Sequence, residues 1–414
     1  MFRVLRGGLC LESEFPETLQ GLGYAINKKN FLRPVDSITK QIEPEGFFKY
    51  KISNNDRFND RHKLNFNRAV RKEVVQQIAE SGLLEPLYLL GKPGLTTTKP
   101  RKDTPFVPIY CSPKKKLLAA KRVVVIVQGS DDQWLWWAWN DIEGAKSLTD
   151  SSVLGIAEEL EKYPDVALVM LNPCQLRYSY KSQQPCSFED WEGQIRETTS
   201  HSSATVLDKN LIAGHETPKK HLEYMFNHFI NNPEYINPKA KIDIIGVNSG
   251  TDLVCQFLNK NWNDYTPAYA RLSAVAMANF YTPYPLDKPE CAKYLGRKGR
   301  AWNKTEFAKD EIQAVPWDDP KNKDVGEVLS TIISLGPELK ESQSAFAEAY
   351  KDMLKWLNKV AQNPNYDDWE KSELQPKMTR KGEAAKEAAE QKVRDEENDA
   401  AAAAEWKVCD DKKT

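Results

Sequence analysis

The chain has 414 residues, of which 40% are hydrophobic and 28% charged, a composition typical of globular proteins that bury a sizeable core. Its formal net charge of −1 conceals an uneven distribution, because residues 1–122 carry 23 Lys and Arg against 12 Asp and Glu while the remainder is acidic. No stretch approaches the ~18–20 apolar residues of a membrane helix, and the N-terminal residues lack the apolar core of a secretory signal. We therefore expect a protein that is neither secreted nor membrane-spanning and that is located in the nucleus, the cytoplasm or both.

Seven cysteines are spread along the chain, and none forms a C-x-x-C pair. Their odd number and wide spacing argue against a disulfide framework and against a structural zinc site. This pattern indicates a reducing compartment, and we expect neither a metal site nor a cofactor.

The chain is expected to form a single domain over residues 1–362, with a basic N-terminal region at 10–106 and a sheet core at 107–362. Within the N-terminal region, Glu14–Leu19 has the pattern of a helix start. Arg71–Ser81 has the pattern of an amphipathic helix that is closed by Gly82.

Two other parts of the N-terminal region have a distinctive composition. Aromatic and basic residues are interleaved over residues 47–72, which resembles a nucleic-acid-binding surface in composition but carries no known RNA-binding signature. Residues 91–106 are rich in Pro, Gly, Thr and Lys, which predicts a surface loop.

From residue 107 onward, short apolar runs alternate with helical patterns at 150–162, 217–231, 250–260 and 343–360. Strands that are apolar on both faces and alternate with helices are typical of parallel β-α-β units. We therefore predict an α/β fold with a mostly parallel sheet and helices on both faces, an α/β-hydrolase-like three-layer sandwich. The apolar runs that predict its strands are Arg122–Val127, Val166–Leu171, Ile242–Val247, Leu272–Met277 and Leu329–Leu335.

Residues 363–414 form a charged tail that is rich in Ala, Glu and Lys. A segment of this composition has little apolar surface to bury. We expect the tail to be disordered or to form a solvated helix.

The most informative segment joins a predicted strand to a predicted helix through the sequence Gly246-Val247-Asn248-Ser249-Gly250. This spacing resembles the G-x-S-x-G nucleophile elbow, a sharp turn that presents its central residue above the sheet. The central residue here is Asn248, whose carboxamide has no ionisable nucleophile. Ser249 follows one position late, and an attack by Ser249 would place Val247 where the turn needs glycine.

The positions of the histidines in the sequence also argue against a catalytic triad. All five precede Asn248, whereas the triads of this fold run in the order nucleophile, acid, histidine. The loop expected to hold the histidine is Gly336–Lys340, which offers a carboxylate and an amine instead. His221 and His228 are expected on the polar side of one helix, about 10 Å apart along its axis and too far apart to share a metal ion. We therefore expect a protein that is not an enzyme.

Two features near the first predicted core strand have open interpretations. Gln128-Gly129 follows this strand where hydrolases place an oxyanion loop, so it is either a vestige of that loop or a strand-ending turn. The tryptophans that follow, at positions 134, 136, 137 and 139, favour core or lid packing over a binding groove.

A basic cluster lies just before the same strand and is a candidate for contact with phosphates or an acidic protein, with a solvated surface as the alternative. Its residues are Lys114, Lys115, Lys116, Lys121 and Arg122.

Several segments together resemble the fungal Argonaute-binding-protein-two (Arb2) domain family, in an order and spacing more specific than any one of them, over about residues 10–360. They are Phe15–Leu19, Leu22–Tyr24, Arg68–Glu80 with Leu87–Leu89, Val123–Gly129 with the Trp-rich segment, Thr217–Ile230 and Gly246–Gly250.

The resemblance implies an α/β-hydrolase-like domain that serves as a subunit of an Argonaute small-interfering-RNA chaperone complex. Its implied role lies in RNA-mediated silencing and heterochromatin assembly, with an Argonaute-type protein and associated silencing factors as partners. The family domain also appears in metazoan cotranscriptional regulators, some of which retain a serine at the elbow, and in some class II histone deacetylases. The alternatives are a serine esterase or lipase with displaced catalytic residues, a direct RNA binder that acts through the basic N-terminal third, and an adaptor in a deacetylase-type complex. An indirect or weak contact with RNA is also compatible with the partners that the resemblance implies.

Overall fold

The apolar runs of the sequence form the strands of a ten-stranded mixed sheet in a computed structural model. The structure describes residues 14–91, 94–129, 134–139, 141–194, 205–262, 271–280, 286–316, 328–363 and 365–366. The sheet order is β13-β14-β12-β11-β10-β6-β7-β5-β3-β4. Its strands are β3 (Glu85–Leu90), β4 (Leu95–Thr96), β5 (Phe106–Cys111), β6 (Arg122–Gln128), β7 (Val166–Met170), β10 (Lys241–Val247), β11 (Leu272–Ala278), β12 (Gly299–Asn303), β13 (Ile312–Pro316) and β14 (Val328–Ser334).

The six central strands, from β14 to β7, run parallel, and the strands at both edges are antiparallel to their neighbours. Two small antiparallel pairs lie outside this sheet. They are β1 (Tyr24–Ile26) with β2 (Leu32–Pro34), and β8 (Arg177–Ser179) with β9 (Gln184–Cys186).

Helices cover both faces of the sheet. Strand β6 shows this directly, because Val124 and Ile126 belong to one apolar core and Val123 and Val125 to the other. The first core includes side chains of α1 (Asp56–Ser81), α3 (Val153–Leu160) and α8 (Ala345–Gln362). The second includes α2 (Lys114–Ala119), α5 (Pro218–Met225), α6 (Gly250–Asn261) and α7 (Pro289–Lys298). A further short helix is α4 (Phe188–Glu192). The predicted three-layer α/β sandwich with a mostly parallel sheet is therefore confirmed.

The N-terminal region contributes more to the fold than its composition indicated. Strands β3 and β4 lie within residues 10–106 and join the sheet, so the sheet begins before the expected boundary at 107. Glu14–Leu19 forms bends and turns instead of a helix start. Helix α1 begins at Asp56, fifteen residues before the predicted start at Arg71. It ends at Ser81 and is closed by Gly82, as predicted, and this glycine has a left-handed conformation.

The interleaved aromatic residues of 47–72 are divided between the core and the surface. Phe66 is fully buried, and Phe48 stacks on His62 and meets Trp139 edge-on. These two rings leave little face for stacking on bases, whereas Phe47 and Tyr50 are exposed. The charged tail lies almost wholly outside the described residues, which end at 366.

Candidate functional site

The centre of the parallel sheet is where a site is expected, because ligands of open α/β sheets bind beyond the carboxyl ends of the strands. Strand β10 lies there between β6 and β11. The turn from β10 into α6 is the predicted elbow, and its geometry follows from its glycines. A Cβ at Gly246 would lie 2.8 Å from the Cα of Thr251, and a Cβ at Gly250 would overlap the carbonyl oxygen of Val127.

Asn248 stands at the tip of this turn with a φ of 53°, in the left-handed region that asparagine tolerates better than most residues. Its backbone N–H donates to the carbonyl of Ala278 over 3.0 Å. Its side-chain Nδ2 donates to the carbonyl of Trp137 over 3.2 Å, and its Oδ1 accepts from the Nδ2 of Asn279 over 2.9 Å. The side chain is buried, and both of its polar atoms are engaged by neutral groups.

Ser249 faces the loop after β6. Its hydroxyl lies so close to Gly129 that a Cβ on that glycine would overlap it. In the described part of the chain, the Ser249 hydroxyl has no hydrogen-bond partner. A serine needs an adjacent base to become a nucleophile, and none is bonded to this one.

Gln128 and Gly129, the predicted remnant of an oxyanion loop, are turned toward the interior. The Nε2 of Gln128 donates to the carbonyl of Trp136, and the carbonyl of Gly129 accepts from the thiol of Cys174 over 2.9 Å. Both residues therefore tie the end of β6 to neighbouring segments.

The tryptophans after β6 are core residues, as predicted. Trp136 and Trp137 are fully buried, and Trp137 packs edge-on against Phe346 of α8. Trp134 is buried and donates from its indole nitrogen to the carbonyl of Leu171 over 3.1 Å. These contacts hold the segment that covers Asn248.

Three further amide side chains line the same edge and were missed in the sequence. Asn172 follows β7 and donates to the carbonyl of Pro108 over 2.9 Å. Asn279 follows β11, and Asn303 ends β12, where it accepts from the N–H of Phe280 over 2.8 Å and donates back to its carbonyl. The available signal was a polar amide at or just after the ends of β6, β7, β10, β11 and β12. Amides both donate and accept, so they join strand ends, but they supply neither a nucleophile nor a general base.

The prediction that His221 lies on a polar helix face is wrong, because His221 is fully buried, whereas His228 is exposed as predicted. The Nδ1 of His221 lies 2.9 Å from the Nδ1 of His215, and the Nε2 of His221 accepts from the N–H of Asn172 over 3.3 Å. Since Nε2 accepts, the proton of His221 sits on Nδ1 and is donated to His215. Both nitrogens of His221 are thus engaged away from Ser249.

Burial controls the charge of this histidine pair. It lowers the pKa of His215 to about 4, with Glu216 raising that pKa and His228 lowering it. Burial and the neighbouring His215 hold the pKa of His221 well below its usual value. Both imidazoles are neutral at neutral pH.

The predicted basic cluster lies at the amino end of β6, the opposite edge of the sheet from Asn248. Arg122 does not belong to its surface, because its side chain is buried and pairs with the buried Asp243 over 3.1 Å. Lys114 and Lys115 are exposed. The other two lysines of the cluster form ion pairs, Lys116 with Glu161 and Lys121 with Asp165.

Metal and membrane features can be stated for the described residues alone. Among them, no group of three or more His, Cys, Asp or Glu side chains is placed to hold a metal ion. No helix in this part of the chain is long and apolar enough to cross a membrane. The five described cysteines are free and buried.

The comparisons with known proteins point to one family. A family model described as the Arb2 domain matches residues 15–306, well over half of the chain. The matched region holds helix α1, the strands from β1 to β12 and the turn at Asn248, and it ends before β13. No curated protein matches the chain. The chain belongs to the Arb2 domain family.

Proposed function

We propose that this protein is a non-catalytic interaction subunit of an Argonaute-type complex that acts in RNA-mediated silencing and heterochromatin assembly in the nucleus, the cytoplasm or both. Membership of the Arb2 domain family supports this context. The observation that carries the non-catalytic part is Asn248, which stands at the strained tip of the elbow with both polar atoms bonded to neutral groups.

The surroundings of Asn248 favour binding over chemistry. Acyl transfer at such a turn needs a nucleophile, a base beside it and a group that orients the base. The partners of Asn248 are an amide and a carbonyl, and the buried His221 is bonded to His215 and Asn172 instead. The loop after β14, where a histidine would complete a triad, contains Glu338 and Lys340.

Affinity purification of the tagged protein from its native organism, followed by mass spectrometry, tests the proposal. We expect an Argonaute-type protein and silencing factors to be recovered repeatedly, with an unrelated tagged protein as the control. Recovery of a histone deacetylase complex without Argonaute would favour the adaptor alternative. Failure to recover any of these partners would overturn the proposal.

A serine hydrolase is the second candidate, and the observation in its favour is the unbonded hydroxyl of Ser249 beside Gly129. Exposure of the purified protein to a fluorophosphonate probe, with Ser249→Ala as the matched control, decides between the two. We expect no labelling of Ser249, because no imidazole is bonded to it. Labelling that disappears in Ser249→Ala would establish the hydrolase instead.

A further inference from the structure

A basic cleft lies between helix α1, strands β3 and β5, and helix α4. We call it the α1 cleft, and its volume is about 310 Å³. Four cationic side chains line it, Arg68, Arg71, Lys72 and Lys99, against the two carboxylates Glu17 and Asp190. The cleft is thus positively charged, and no sequence motif marks it.

The two arginines of the cleft are fixed in place. Asp190 is buried and accepts from the Nε of Arg68 over 2.8 Å and from an Nη of Arg71 over 3.4 Å. Asp190 is itself held by a capping box with Ser187 at the start of α4. Arg71 also lies over the ring of Trp136. Guanidinium groups immobilised in this way lose little entropy when a further acceptor arrives.

A carboxylate already occupies part of the cleft. Glu17 comes from the turn before β1, and its side chain, which is about half exposed, reaches the Nζ of Lys72 over 2.6 Å and Arg68 over 3.8 Å. The hydrogen bond from Lys72 lowers the pKa of Glu17. Glu17 therefore shows, within the chain itself, that these cationic side chains bind a carboxylate.

The opposite wall of the cleft is apolar. Phe106, Tyr110 and Trp134 are buried and pack against neighbouring rings, so they offer little ring face on which a base could stack. Tyr88 on β3 and Val75 on α1 are partly exposed and also line the cleft. This apolar lining suits an aliphatic or aromatic side chain better than a nucleobase.

We propose that the α1 cleft binds a peptide segment of a partner protein in which acidic residues alternate with apolar ones. The carboxylates of the segment would contact Arg71, Lys72 and Lys99, and an apolar side chain would pack against Tyr88 and Val75. Glu17 would be displaced from Lys72 on binding. This inference rests on the proposed function only in that it assumes a protein partner.

Fluorescence anisotropy with the full-length protein tests this assignment. The probe is a labelled twelve-residue peptide in which Glu and Asp alternate with Leu and Phe, and its control replaces the acids by Gln and Asn. We expect the acidic peptide to bind and the neutral control peptide not to bind. In the double variant Lys72→Ser/Lys99→Ser the affinity for the acidic peptide should fall about tenfold or more, because two exposed charge contacts are removed. Glu17→Gln is expected to tighten binding, since it removes the competing carboxylate.

The control pair Lys351→Ser/Lys355→Ser removes the same number of charges, because these two exposed lysines form ion pairs with Asp150 and Asp352 much as Lys72 does with Glu17. An equal loss of binding in the control pair would show that the effect depends only on net charge and would overturn the assignment. Equal binding of the neutral peptide would also overturn it. So would tighter binding of a twelve-nucleotide single-stranded RNA that is lost in the double variant, because the cleft would then be a nucleic-acid site.

The two proposals fail separately. If the double variant still recovers the native partners while no acidic peptide binds, the surface is wrong and the interaction function stands. If the peptide binds the cleft but the native partners never include Argonaute or silencing factors, the cleft stands and the proposed function falls.

Discussion

At the scale of single residues, amide side chains form the hydrogen bonds that link the carboxyl ends of the central strands. Asn248, Asn279 and Asn303 join the ends of β10, β11 and β12 through bonds between side chains and to neighbouring carbonyls. Each amide forms hydrogen bonds with a backbone group or another amide at a strand end. An ionised group at the same buried position would carry a desolvation cost. The strand ends are therefore held together by groups that cannot take part in acid–base chemistry at neutral pH.

Replacement of Asn248 by serine tests this structural role. Asn248→Ser removes the bonds to Trp137 and Asn279 and leaves a buried carbonyl and a buried amide without them, so we expect a loss of about 1–3 kcal/mol in the free energy of unfolding. Urea denaturation measures this change in the free energy of unfolding. Asn363→Ser, just after the end of α8, is the control at an exposed asparagine. An unchanged midpoint would show that the Asn248 bonds do not stabilise the turn.

At the scale of elements, helix α1 shows how the first half of a long helix can lack an apolar pattern. The buried face of this half includes polar side chains, among them Asn59, Arg61, His62 and Asn65. These replace apolar residues that would mark the face in the sequence. The second half packs through apolar side chains such as Ile78, and the helix is bounded by the Asn55 cap and by Gly82.

The N-cap of α1 gives a direct test. The side chain of Asn55 accepts from the N–H of Phe58, and Asn55→Ala is expected to lower the free energy of unfolding by about 1 kcal/mol. Asn54→Ala is the matched control, since Asn54 is also exposed and its side chain makes no hydrogen bond in the described part of the chain. Equal denaturation midpoints for the two variants would contradict the capping role.

The same contrast explains how far the sequence could predict the structure. Strands such as β6 and β10 are continuous apolar runs buried on both faces, so their positions were predicted to within a residue or two. The elbow was predictable because Gly246 and Gly250 are required by close backbone contacts. The first half of α1 and the burial of His221 were not, because polar residues satisfied by distant partners carry no periodic signal. The α1 cleft was likewise hidden, since Glu17 and Asp190 meet Arg68 only in the folded chain.

At the scale of the whole molecule, the neutral net charge separates into distinct surfaces. The basic N-terminal third supplies α1 and its cleft, and also the exposed lysines Lys114 and Lys115 at the amino edge of the sheet. Buried ionisable groups lie deeper, and their pKa values couple the fold to pH. Burial raises the pKa of Asp243 to about 7, although Arg122 opposes this, whereas burial lowers the pKa of His215 to about 4.

These two shifts act in opposite directions, so variants are needed to separate them. Between about pH 4 and 7 the buried Asp243 keeps a proton that the unfolded chain has lost, and stability from this group falls as pH rises. For His215 the unfolded chain gains a proton below about pH 6.5 that the folded protein does not bind until about pH 4, so stability falls as pH drops through this window. Wild-type protein alone would report these two contributions together with those of other shifted groups such as His221.

We therefore predict that His215 makes the fold sensitive to acid. From pH 7.5 to pH 5 the wild type should lose about 2 kcal/mol more of its free energy of unfolding than His215→Asn, which keeps an acceptor near the Nδ1 position without a titrating ring. Urea denaturation of both proteins across this range measures the difference. Parallel curves for wild type and His215→Asn would mean that the buried pair accepts a proton in the folded state, and would contradict the neutral tautomers derived from its hydrogen bonds.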